Sequence, residues 1–142
     1  HGLLSGTMTR STRFEDWDWR ATENAFGMPF SRPGFFEDNV LIAEQLGHIA
    51  DRAGMSLPNL AAAWVLSRPT VTTALVGFRN PDEVDAAARA ADQDLPDDIL
   101  AAVNAISDEA YARNLSGEDL SPKVGTWNPW DPHPKSFGST SR

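Results

Sequence analysis

Residues 71–76, with the sequence VTTALV, have the character of a β-strand that is covered on both faces. The segment is rich in β-branched side chains, carries no charge and is followed by Gly77. Such a strand needs a neighbour on each edge, because its backbone groups otherwise stay unpaired. Either the chain is mostly helical and buries the segment as a loop, or the segment is one piece of a larger sheet. The order strand, turn, helix favours a parallel sheet, which needs more than one strand.

Two helices are predicted before this segment. Apolar residues at helical spacing predict the first over residues 38–54, where Gly54 is a natural stop. The second is predicted over residues 56–67, with Ser56 as its cap and Pro58 in its first turn. The faces predicted to be buried contain Ile42, Leu46, Ile49, Ala50 and Ala53 in the first helix and Leu57, Leu60, Ala61 and Trp64 in the second.

Two further helices are predicted after the segment. The third begins with Asn80 as its cap and Pro81 at its first position, and it runs to about residue 91. Glu83 is placed to reach back to the helix start, as in a capping box. The fourth begins near Asp97, and its buried face is predicted to contain Ile99, Leu100, Val103 and Ile106.

Both ends of the chain lack helical periodicity. Residues 2–34 mix Gly, Pro, Ser and Thr with aromatic side chains. We predict a long irregular loop there, in which the aromatic side chains provide apolar surface that can be buried. Periodicity is lost again after Glu109, and the remainder contains Trp127 and Trp130. We therefore predict one structural unit over residues 1–109 and an irregular tail over residues 110–142.

Composition excludes several classes of partner and site. The formal net charge of -8 repels nucleic-acid phosphates and anionic membranes, and no apolar run approaches the roughly 18 residues of a membrane span. Cysteine is absent, which excludes disulfides and thiolate metal sites, and the histidines show no metal-ligand spacing. A cytoplasmic location agrees with these features, and no signal peptide is visible at residues 1–6.

The turn after the predicted strand is a candidate anion site. Gly77 stands where the strand gives way to a helix, and backbone amides at a helix N-terminus favour an anion. Arg79 adds a guanidinium suited to a phosphate group. The alternative is a plain capped junction with a solvated arginine, and the local pattern alone favours that alternative because such turns are abundant.

Five segments, in the right order and spacing, resemble the aldo-keto reductase family, a family of nicotinamide-dependent oxidoreductases. They are GLLSG at residues 2–6, Trp19-Arg20, LAAAWVL at residues 60–66, VGFRNPDEV at residues 76–84, and residues 95–106. The family fold is a (β/α)₈ TIM barrel, which typically needs about 250 residues. The resemblance therefore implies an α/β fold, the C-terminal part of such a barrel, mostly helical in this chain. That interpretation requires a parallel strand at residues 72–76.

The resemblance also implies roles for residues at two places in the chain. Arg79 would grip the 2′-phosphate of NADP, Gly77 and Phe78 would line its adenosine end, and Glu83 would contact the adenosine. The residues that would wrap the pyrophosphate are Gly2, Leu3, Ser5 and Gly6. The chain departs from the family pattern at three positions. Ala86 and Ala87 stand where the family often has a Glu-Asn pair, in which the Asn forms a hydrogen bond with adenine. Phe78 is bulkier than the small residue that is usual at its position in the family.

The family's catalytic Asp, Tyr, Lys and His lie on the first four barrel strands, so no catalytic residue is assigned to this chain. Trp127 and Trp130 are candidates for the substrate wall, or equally for a tail docked on its own surface. Tyr111 lies past the resembling segments, and the lysines, Lys123 and Lys135, lie in the tail. The isolated chain is therefore predicted not to reduce carbonyls.

The predicted function is part of an NADP-dependent aldo-keto reductase, which transfers hydride between nicotinamide and a small carbonyl or alcohol substrate. The predicted partner is the rest of the barrel, on another chain or elsewhere in the same protein. Two alternatives stay open: a non-catalytic subunit or assembly module that completes a barrel, and a nucleotide-binding pseudo-reductase.

Overall fold

The computed structural model describes residues 1–21 and 34–115, and within these ranges the chain forms four α-helices and two short 3₁₀ helices. The α-helices are α1 (Phe35–Arg52), α2 (Leu57–Leu66), α3 (Pro81–Ala91) and α4 (Asp97–Leu115). The 3₁₀ helices, Leu3–Ser5 and Trp19–Ala21, interrupt an otherwise irregular N-terminal segment. Among these helices none is long and apolar enough to cross a membrane.

Local capping sets where the helices begin. The Ser56 hydroxyl accepts a hydrogen bond from the Asn59 amide at 3.4 Å, and the Asn80 side-chain oxygen accepts one from the Glu83 amide at 3.0 Å. Both predicted caps are confirmed. The first helix begins three residues before the predicted Asp38, because Gly34 adopts a positive φ of 83° and donates its amide to the Glu37 carboxylate at 2.6 Å.

The main core lies between α1, α2 and α4. Its buried side chains are Ala43, Ile49, Ala50, Leu57, Leu60, Ile99 and Val103. A second cluster forms where Leu3, Met8 and Phe14 of the N-terminal segment pack on Phe36 and Val40 of α1. The periodicity identified most of these helix faces, but Ile42 is only partly buried, while its neighbours Val40 and Ala43 are buried. The buried face of α1 is therefore rotated from the predicted one near its N-terminus.

A polar network joins α2 to α4 at the edge of this core. The Trp64 indole and the Arg68 guanidinium both donate to the side-chain oxygen of Asn104, at 2.8 and 2.9 Å. Arg68 also lies over the Trp64 ring, 4.6 Å from its centroid. One amide on α4 thus holds a side chain of α2 and a side chain just after α2 in place.

The parallel strand predicted at residues 72–76 is not formed, and the described residues contain no strand at all. Most of the segment is exposed, and the Leu75 side chain is 96% exposed. The physical reason is that a strand requires a neighbour to pair its backbone groups, and the described part of the chain offers none. The helical arrangement fits part of a barrel but does not by itself establish the barrel.

Helix α4 continues to Leu115, past Glu109, where the apolar periodicity ends. The tail boundary at residue 110 and the two candidate substrate-wall residues, Trp127 and Trp130, stay predictions. Both tryptophans lie outside the described residues.

Candidate functional site

A wide groove separates the N-terminal segment from the turn that precedes α3. Its volume is 1490 Å³, and α2 contributes to its lining through Pro58, Ala61 and Val65, among others. Seven of the eight residues predicted to bind a cofactor line it: Gly2, Leu3, Ser5, Gly77, Phe78, Arg79 and Glu83. Gly6, the eighth, is not part of the lining. A β-carbon at that position would lie 3.7 Å from Leu57, so Gly6 sits over the core.

The first wall of the groove is the loop around the 3₁₀ helix Leu3–Ser5. Gly2 and Gly6 flank it with φ values of 89° and 75°, which favour glycine. A β-carbon at Gly2 would also lie only 3.2 Å from the Met8 side chain. The Ser5 hydroxyl donates to the Gly2 carbonyl at 2.6 Å and contacts the Thr7 hydroxyl at 2.8 Å. The Ser5 proton is therefore engaged inside the loop.

Arg20, which also lines the groove, fastens this loop. Its guanidinium forms an ion pair with Asp18 at 2.6 Å, donates to the His1 carbonyl at 3.3 Å and lies 4.8 Å from the centroid of the Phe14 ring. The side-chain hydrogen bonds from Arg20 hold the pKa of Asp18 below its ordinary value, and the Arg20 amide lowers it further. Trp19 packs edge-to-face on the His1 ring at 4.6 Å. The pair Trp19-Arg20 was singled out by resemblance, whereas its partner Asp18 was missed.

The second wall is the turn before α3, where Arg79 and Glu83 form an ion pair. The Arg79 Nε and Nη2 groups donate to Glu83 Oε1 at 3.0 and 2.8 Å, and the Arg79 backbone amide donates to Glu83 Oε2 at 2.8 Å. These hydrogen bonds hold the pKa of Glu83 below its ordinary value. Glu83 does reach back towards the helix start, where it accepts hydrogen bonds from the Arg79 backbone amide and from the side-chain amide of the cap residue, Asn80.

The arginine stays accessible in spite of this contact. Its side chain is 78% exposed, and the two bonds to Glu83 use two of the five N–H groups of a guanidinium. Ala86 and Ala87, the positions that depart from the family pattern, also line the groove and present only methyl groups there. This wall therefore combines an exposed cation with an apolar surface.

Among the described residues, the lining of the groove includes neither tyrosine nor lysine, and its one histidine is His1. Tyr111 lies on α4 with 66% of its surface exposed and does not line the groove. What the groove can offer is a guanidinium, a helix N-terminus and a glycine-flanked loop, which together suit an elongated anionic ligand.

Comparison with known proteins agrees with the five resembling segments. The model of the Aldo/keto reductase family matches residues 1–108, a range that contains both walls of the groove. The chain belongs to the aldo/keto reductase family. The resemblance stated from the sequence is thus confirmed.

One curated aldo/keto reductase shows how much of such a protein this chain represents. The aldo-keto reductase YhdN of Bacillus subtilis (strain 168) is 29% identical over 122 residues. The match covers 85% of this chain and 35% of that protein, so the chain spans about a third of its aldo/keto reductase relative. No solved structure matches the chain.

Proposed function

We propose that this chain is the C-terminal part of an NADP-dependent aldo-keto reductase and that it binds the adenosine and pyrophosphate end of the cofactor. The observation that carries the proposal is the groove. Two segments far apart in the sequence line it together, residues 2–5 on one side and residues 77–79 with Glu83 on the other, and both were assigned to the same ligand by family resemblance. The reaction proposed for the whole protein is hydride transfer between the nicotinamide and a small carbonyl or alcohol substrate.

The residues present fit the cofactor at its 2′-phosphate. The Arg79 guanidinium is exposed, has N–H groups beyond those that Glu83 engages, and lies just before the N-terminus of α3. A planar guanidinium binds phosphate oxygens through parallel N–H groups, and the helix dipole adds to the attraction. The adenine would lie against Ala86 and Ala87, where shape and not hydrogen bonding would select it.

When bound, the cofactor supplies the hydride chemistry, and this chain's residues orient it. Arg79 would hold the 2′-phosphate. The loop of residues 2–6, which Arg20 fastens, would wrap the pyrophosphate. We assign no proton transfer to the described residues, because Tyr111 does not line the groove. The acid that protonates the developing alkoxide would come from the rest of the barrel.

The exposed apolar segment before α3 supports the proposal that further barrel segments pack against this chain. Leu75 is 96% exposed, and Val76 and Phe78 are 43% and 44% exposed. Apolar side chains exposed in a row favour association with a complementary surface. We propose that the segment becomes a barrel strand when the remaining barrel segments, on another chain or in the same protein, pair with it. The same exposure favours the alternative of an assembly module.

The test is the substitution Arg79→Ala in the full chain with any polypeptide that co-purifies with it. Loss of a charge-assisted phosphate contact should cost about 1.5–3 kcal/mol of NADPH binding and much less of NADH binding. Dissociation constants for both dinucleotides can be measured by titration calorimetry. Arg89→Ala is the matched control, because Arg89 is exposed in the last turn of α3 and does not line the groove. Equal losses for both dinucleotides would show that Arg79 does not recognise the 2′-phosphate.

A further inference from the structure

The Glu83 carboxylate is held against Arg79 by more than the ion pair. Besides the guanidinium, it accepts hydrogen bonds from the Arg79 backbone amide at 2.8 Å and from the Asn80 side-chain amide at 3.2 Å. Its side chain is 31% exposed, against 78% for Arg79. The carboxylate is thus the fixed partner of the pair, positioned by the start of α3, and the guanidinium lies along it.

This arrangement places an internal anion on the group that would receive an external one. Guanidinium recognises phosphate through adjacent N–H groups, and Glu83 already engages the Nε and Nη2 groups. A 2′-phosphate must therefore displace the carboxylate from this edge or bind at the remaining N–H groups beside a negative charge. Either route weakens phosphate binding relative to an unpaired arginine.

The same carboxylate suits a ligand that lacks the phosphate. Carboxylates accept hydrogen bonds from ribose hydroxyls, and in dinucleotide sites an acidic residue selects the free 2′-hydroxyl while an arginine accommodates the 2′-phosphate. Arg79 and Glu83 bring these two opposed recognition elements together at one position of the groove.

We propose that Glu83 is a specificity-determining residue that competes with the 2′-phosphate for Arg79 and lowers the preference for NADPH over NADH. The inference rests on the proposed function, in which the groove holds a nicotinamide dinucleotide. It concerns the ratio of the affinities for NADPH and NADH, which the assignment of Arg79 to the 2′-phosphate does not determine.

The experiment compares Glu83→Gln with Asp82→Asn in the full chain, purified with any polypeptide that accompanies it. Both substitutions remove one negative charge in the first turn of α3, but Asp82 is exposed and lies outside the groove lining. Dissociation constants for NADPH and NADH are measured at one fixed ionic strength. Glu83→Gln should raise the NADPH preference by about two- to fivefold, the range that an exposed ion pair is worth. Asp82→Asn should change it by less than about 1.5-fold, because a solvated charge is screened by salt.

A second comparison separates competition for Arg79 from a general charge effect. In an Arg79→Ala background, Glu83→Gln should change the preference less than it does with Arg79 present, since no guanidinium remains to be released and only the direct contact of the carboxylate with the ribose is lost. An unchanged preference in Glu83→Gln, or equal shifts in both single variants, would overturn the inference while leaving dinucleotide binding intact. Failure of every form to bind either dinucleotide would instead overturn the proposed function, and the inference with it.

Discussion

The substitution Leu60→Ala tests the helical core that positions the groove. Leu60 lies in α2 with 1% of its surface exposed, in the cluster formed with α1 and α4. Truncation removes about three carbon groups, which at about 0.8 kcal/mol each gives about 2.4 kcal/mol of lost transfer free energy. The cavity left behind adds to this, so we expect a loss of about 3–5 kcal/mol in the free energy of unfolding. Such a loss is a large share of the stability of an ordinary domain.

Urea unfolding followed by far-ultraviolet circular dichroism measures this loss. Leu75→Ala is the matched control, because it makes the same chemical change at a side chain that is 96% exposed. Its cost in the chain alone should stay within about 0.5 kcal/mol. Similar losses for the two variants, or a loss below about 1 kcal/mol for Leu60→Ala, would refute the packing described for α2. Once the rest of a barrel is bound, Leu75→Ala should weaken that association.

Three further outcomes are expected. Asn104→Ala should lower the free energy of unfolding by about 1–3 kcal/mol, because the Trp64 and Arg68 donors lose their acceptor, while Asn104→Asp should lose less; urea unfolding checks both. The pKa of Asp18 is lowered on folding, so its stabilising contribution is present above the ordinary value of 3.8 and is lost as the pH falls through the lowered value. Carbon NMR of the carboxyl groups should show this low midpoint, and Arg20→Gln should raise it; an unmoved midpoint would contradict the assigned cause. The isolated chain should associate in size-exclusion chromatography with light scattering and should not oxidise NADPH with carbonyl substrates. A folded monomer that turns over a carbonyl would defeat the proposed division of the barrel.

The helices were predictable because their signals are local. Ser56 and Asn80 mark helix starts by the hydrogen bonds that their own side chains make within one turn. The buried positions Ile49 and Leu60 follow from periodicity alone. The strand at residues 72–76 was predicted from equally clear composition, but strand formation depends on a partner that composition does not contain.

In the candidate site, too, features set by nearby residues were easier to predict than contacts between residues far apart in the sequence. The family resemblance predicted that residues 2–6 and the turn around Arg79 serve one ligand. The structure brings seven of the eight assigned residues to one groove and leaves out Gly6. The Arg79–Glu83 pair was missed although its four-residue spacing was visible, because Glu83 had been assigned to the helix start and to adenosine. The acceptor role of Asn104 left no signal, since its partners lie 36 and 40 residues away.

Leu3 belongs to the wall of the groove and to both hydrophobic clusters, and this makes the loop and the helices thermodynamically linked. Any opening of the loop withdraws one side chain from the α1–α2–α4 interface and from the Phe36 cluster at once. A ligand that holds the loop closed therefore raises the midpoint of thermal unfolding of the whole helical assembly by mass action. Amide hydrogens far from the groove, in α1 and α4, would then exchange more slowly when the groove is filled.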